Sequence, residues 1–165
     1  MRAISTFLLV LLLASGARAD LPRGLAGYWR GSVAEAGVEL PVDIRLDPAD
    51  NGFEIAITLP RTLPFKATLV PAAAPGVFEE AQTGGLFSFF RSGRDRSVLD
   101  GRPLLWARRA AEGIIAYRLQ IGSSGDVELL RIALAPSADG LEVTVERRLD
   151  GVAQPGMQGV LQRRS

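Results

Sequence analysis

The side chains able to do chemistry in this chain are few in kind. There is no histidine and no cysteine. That removes Ser-His-Asp and Cys-His nucleophile pairs, and with them the nitrogen and sulfur ligands on which zinc, copper and c-type haem sites depend. Carboxylates, hydroxyls, two tyrosines, the arginines and one lysine, Lys66, remain. Two carboxylate pairs stand close in sequence, Glu79 with Glu80 and Asp95 with Asp100. Acid–base cleavage of a glycosidic kind needs two carboxylates converging across a cleft. Neighbours on a strand point to opposite faces, so Glu79 and Glu80 make a poor pair. Gly122-Ser123-Ser124-Gly125 superficially suggests a nucleophile turn, but it lacks a strand–turn–helix context and any histidine. A hairpin turn explains it. Arg91, Arg94, Arg96 and Arg102 form a candidate anion-binding loop, because guanidinium grips phosphate or carboxylate through paired hydrogen bonds. Asp95 and Asp100 lie among them, and arginine is the default base of the whole chain, so a solvated loop is the plainer expectation. The expectation is therefore a protein that is not an enzyme, with no metal and no cofactor; a hydrolase working through carboxylates alone is the remote alternative.

Charge adds a second exclusion. The full chain carries nineteen basic and eighteen acidic residues. Residues 1–19 have the form of a secretory signal peptide: a basic start at Arg2, an apolar run ending at Leu13-Ala14, and Ala17-Arg18-Ala19 before Asp20. The apolar run is too short to span a bilayer, which takes about 20 residues. Cleavage after Ala19 removes Arg2 and Arg18 and no acid, leaving a net charge of −1. Nothing in that balance attracts nucleic acid. A periplasmic or secreted domain of residues 20–165 is expected, not membrane-spanning after signal removal. Its core must hold it without a disulfide.

The elements that would position these side chains are strands. Val38, Leu40, Val42, Ile44 and Leu46 alternate with polar residues, and Phe53, Ile55, Ile57 and Leu59 repeat the pattern after the turn signal Asp47–Gly52. Further strands are expected at Tyr28–Ala34, Phe65–Val70, Val77–Glu80, Leu86–Arg91, Leu104–Arg109, Ile114–Ile121, Val127–Leu134, Leu141–Glu146 and Gln158–Arg164. Adjacent Leu129 and Leu130 interrupt one alternation, which implies a bulge or burial on both faces. Asp150–Gly156 reads as a turn. No helical period survives in the mature chain. Turns every eight to twelve residues imply an all-β fold, a single antiparallel up-and-down barrel of about 8–10 strands, with a two-sheet sandwich as the other arrangement of the same strands.

Gly27-Tyr28-Trp29 on the first strand, followed by Gly31, and a basic residue on the last strand resemble the lipocalin and wider calycin group, and within it small exported bacterial lipocalin-like domains. The resemblance implies that Gly27, Trp29 and Arg163 close one end of the barrel, with Arg163 lying over the Trp29 ring. It also implies that the interior binds a small apolar or amphipathic ligand. The candidate lining residues are Trp29, Leu40, Val42, Ile44, Phe53, Ile55, Ile57 and Phe65. A barrel of this size either holds one small ligand or fills with its own side chains, and Ala56, Ala67, Ala107 and Ala116 are the positions where room would be found. If the core is filled, the protein becomes an interaction module for an envelope protein, met through its loops or through the apolar segment Phe87–Phe90.

Overall fold

The computed structural model describes residues 21–60, 62, 64–81, 98 and 101–165. The expected leader, the strand at 86–91, Asp95, Asp100, Arg91, Arg94 and Arg96 lie outside the described residues.

Eleven strands follow one another: β1 (Gly27–Glu35), β2 (Val38–Ala49), β3 (Gly52–Thr58), β4 (Phe65–Pro71), β5 (Val77–Glu80), β6 (Leu104–Arg109), β7 (Ile114–Ile121), β8 (Val127–Ser137), β9 (Gly140–Leu149), β10 (Val152–Ala153) and β11 (Met157–Arg164). Each of β1 to β8 pairs antiparallel with the next, β8 pairs with β9, and β11 lies between β9 and β1. Ten strands therefore close a ring, and the two-residue β10 hangs on the end of β9. The fold is a closed antiparallel barrel with essentially no helix, so the sandwich arrangement falls. No helix among the described residues is long and apolar enough to cross a membrane.

Alternation does the sorting. The cross-strand row Trp29–Ile44–Ile57–Phe65 points inward, and each member is at most 5% exposed. The row Phe78–Ala107–Ala116–Ile132–Val145 continues the interior on the far side, again fully buried. Inside, Phe53 and Phe78 meet edge to face at 5.0 Å. Ala67, Ala107 and Ala116 face in, while Ala56 faces out between Arg45 and Lys66.

Strand ends depart from expectation in several places; β8 runs on to Ser137, and β9 spans Gly140–Leu149. β2 runs through Asp47, Pro48 and Ala49, so the turn narrows to Asp50-Asn51. Gly52 follows at φ +124°, where a Cβ would lie 1.9 Å from the Leu69 carbonyl oxygen, so only glycine lets β3 approach β4 here. At Leu129-Leu130 the β7–β8 register skips no residue, so of the two expected explanations the bulge falls and burial on both faces stands, with Leu130 buried inside and Leu129 half-buried outside, opposite Leu119. The segment read as a turn at Asp150–Gly156 contains β10, because Val152 and Ala153 prolong the hairpin back along Leu149 and Arg148.

Candidate functional site

The barrel has two unlike ends. At one, the lead-in residues 21–26 cross beneath β1. Trp29 Nε1–H donates to the Leu25 carbonyl at 2.9 Å, and the Arg163 guanidinium lies 5.6 Å from the centre of the Trp29 ring. Arg163 also donates to the Ala26 carbonyl. Trp29 and Leu25 are buried. Gly27 lies against the same guanidinium, so Gly27, Trp29 and Arg163 meet at this end.

At the other end the interior carries charge. Arg118 points inward from β7 and is 2% exposed, in a register row with Leu105, Leu130 and Arg147. Glu128, diagonal to both arginines, accepts from Arg118 Nη2 at 3.4 Å and from Arg147 Nε at 3.0 Å. Sequence reasoning missed this cluster. On β7 the outward residues Ile115, Tyr117, Leu119 and Ile121 are more apolar than the inward Ile114, Ala116, Arg118 and Gln120. Hydropathy on that strand therefore points the wrong way, and only its register with β6 and β8 orients it.

The candidate interior ligand residues Trp29, Leu40, Val42, Ile44, Phe53, Ile55, Ile57 and Phe65 all face inward. None is more than 8% exposed, and all belong to one continuous core cluster. Their neighbours in that cluster are other apolar side chains.

A ligand-sized concavity of about 650 Å³ lies across β2, β3 and β4, and the candidate residue Ile55 and the inward-facing Ala67 are among the residues that line it. Volumes of roughly 300–1,000 Å³ are typical of small-molecule sites. Its outward-facing lining residues form two rows. Arg45, Ala56 and Lys66 are one row, and Asp47, Glu54 and Thr68 are the other. Glu80 and Ala81 line it where β5 runs out. β5 pairs only with Leu69, Val70 and Pro71 of β4, and Ala81 N–H donates to the Thr68 carbonyl at 2.7 Å to end the ladder. Beyond that bond, no described strand flanks Phe65 to Ala67 on this side. Among the described residues, the concavity lies where β5 ends. Within it, Arg45 Nε pairs with Asp47 at 2.6 Å. Lys66 and Glu54 are exposed and make no ion pair among the described residues.

Beside this floor, Asp43 receives Arg30 Nε at 2.6 Å and the Tyr28 hydroxyl at 2.7 Å. The hydrogen bond from Arg30, then that from Tyr28, holds the Asp43 carboxyl below its usual 3.8. A carboxylate whose pKa is lowered by folding adds stability that is present above the unfolded value and lost as pH falls through the folded one. The Asp43 and Arg30 side chains are 37% and 57% exposed, so solvent screens the pair. Asp43→Asn should cost roughly 0.2–1 kcal/mol at pH 7. The gap to the parent protein should close as pH drops below about 3.8, as read from urea midpoints across pH.

The remaining sequence candidates do not converge. Glu79 is exposed and outward, whereas Glu80 shares the inward face with Phe78. Arg102 is exposed ahead of β6. Gly122–Asp126 is a hairpin turn, closed by Gly122 N–H to the Asp126 carbonyl at 2.8 Å, with the Ser124 hydroxyl on the Asp126 carboxylate. Among the described residues, no cluster of acidic side chains could hold a metal ion.

No family model matches this chain, and no curated protein and no solved structure matches it either.

Proposed function

We propose that the protein is an exported binding barrel that carries a small amphipathic ligand in the wall concavity over β2–β4, with its interior serving as a packed core. One observation carries this reading. The ligand-sized space of about 650 Å³ is lined by charged and apolar groups together, and of the candidate interior residues only Ile55 belongs to that lining. A purely apolar ligand does not suit a floor of Arg45, Asp47, Glu54 and Lys66, because stripping water from unmatched charges is costly. Binding, not catalysis, is the activity that this lining supports.

Native mass spectrometry of the mature protein, exposed to the small-molecule fraction of its own cells, tests it. The parent protein should hold an added mass that denaturation releases, and the Arg45→Met, Lys66→Met double variant should lose it. Equal loading of both proteins would overturn the wall site.

A second reading rests on a different surface. Leu104, Leu119 and Leu129 form an outward row across β6–β8, beside the stacked rings of Trp106 and Tyr117 at 4.9 Å. Leu104 is 45% and Val127 38% exposed, an unusual concentration of apolar side chains on a barrel's outside. This favours a packed module that meets an envelope protein through that face. A bare polypeptide mass for the parent protein would shift the function there.

A further inference from the structure

We infer that the ligand of the wall concavity is a zwitterion of dipeptide size, lying along β3 with its anionic end at Arg45 and Lys66 and its cationic end at Asp47 and Glu54. The inference rests on the wall-site reading above and adds the chemical class and the orientation.

The floor is polarised along the strands. Arg45, Ala56 and Lys66 face one another across β2, β3 and β4, so two cations flank a methyl group. The next outward row, two residues further along each strand, is Asp47, Glu54 and Thr68. Two residues of extended strand separate the rows by about 7 Å. A cationic band thus lies beside an acidic one on the floor of a single concavity; the Arg45–Asp47 ion pair joins them on β2, so Lys66 and Glu54 are the charges that a ligand meets first. An extended dipeptide separates its ammonium and carboxylate by about the same distance, since each residue spans roughly 3.3–3.6 Å.

Two features show how the bands would be used. First, Ala56 is the one short side chain at the centre of the cationic row, so a carboxylate can descend between the Arg45 and Lys66 heads. A longer residue there would fill that notch. Second, Lys66 and Glu54 are diagonal neighbours on adjacent strands. Diagonal positions lie within reach of long side chains, yet these two form no ion pair among the described residues. Each keeps its charge aimed at the space above the floor. A ligand with one charge matches one band and strips water from the other. A ligand carrying both charges in the right order matches each band and leaves no charge buried without an opposite partner.

The test is a matched set of four probes: L-alanyl-L-alanine, its N-acetyl form, its C-terminal amide, and the doubly blocked N-acetyl amide. Each is titrated into the mature protein at low salt, with amide chemical shifts of residues 45–47, 54–56 and 66–68 as readout. The free dipeptide should bind at least about tenfold tighter than either singly blocked form, equivalent to about 1.4 kcal/mol, and the doubly blocked form should not saturate. Lys66→Met should abolish the preference for the free dipeptide over its amide and keep the preference over the N-acetyl form. Glu54→Gln should do the reverse. Both side chains are exposed, so neither change threatens the fold. If a blocked form binds at the wall as tightly as the free dipeptide, the zwitterion inference fails while the wall site stands. If none of the four shifts the wall amides, the inference fails outright, and the mass-spectrometric comparison decides the wall site separately.

Discussion

Replacing Trp29 with alanine will lower stability by about 3–5 kcal/mol, the cost of deleting a large buried aromatic whose cavity cannot fully collapse. The size follows from position. Trp29 is fixed at three points: its indole N–H on Leu25, its ring beneath Arg163, and its register partner Ile44. Deleting it also frees the lead-in that seals this end, since Leu25 is fully buried and bonded to the same indole. Arg163→Gln should cost far less, about 0.5–1 kcal/mol, because the cation–π contact is exposed. Urea unfolding of the two variants separates the cases. Similar costs would mean that Arg163, not the indole, holds the closure.

Glu128→Ala should be the second large change, costing about 1–3 kcal/mol, because it removes the acceptor that two arginines share, one of them buried. Glu128 is the carboxylate that Arg118 and Arg147 share, and the Arg118 side chain is 2% exposed. The sign should differ for a paired replacement. Arg118→Leu with Glu128→Leu removes the buried guanidinium together with its carboxylate and leaves only the half-exposed Arg147, and such exchanges are often neutral or stabilising. The double variant should therefore be markedly more stable than Glu128→Ala alone in urea unfolding. If it is no better, the cluster contributes through packing and not through charge.

Much of the barrel could be read from alternation, and the reasons are specific. On β2 to β4 the inward residues are apolar and the outward ones polar, so period, face and pairing all agree. Val77–Glu80, Leu104–Arg109 and Ile114–Ile121 begin and end where the pattern places them. The Trp29–Arg163 contact followed from parity on the last strand, where Leu161 faces in and Arg163 two residues later shares its side. What failed was local. Pro48 and Asn51-Gly52 look like one long turn, yet proline tolerates an extended backbone, and the bend needs only two residues. Arg118 was hidden because β7 has apolar residues on both faces. The wall concavity could not be read: the end of β5 was expected, but which side chains of β2, β3 and β4 meet beside it is a matter of register. Lys66 was visible as the only lysine, but its partnership with Arg45 across Ala56 is a matter of register alone.

The most direct measurement is a chemical-shift map of the mature protein, amides and interior methyl groups together, with the small-molecule fraction that loads it in the mass spectrometer. Shifts confined to the outer rows around Arg45, Glu54, Ala56 and Lys66, with the methyls of Ile57, Leu130 and Ile132 unmoved, are the expected result. Shifts centred on those interior methyls would contradict it, and would make the barrel a carrier that opens to admit its ligand.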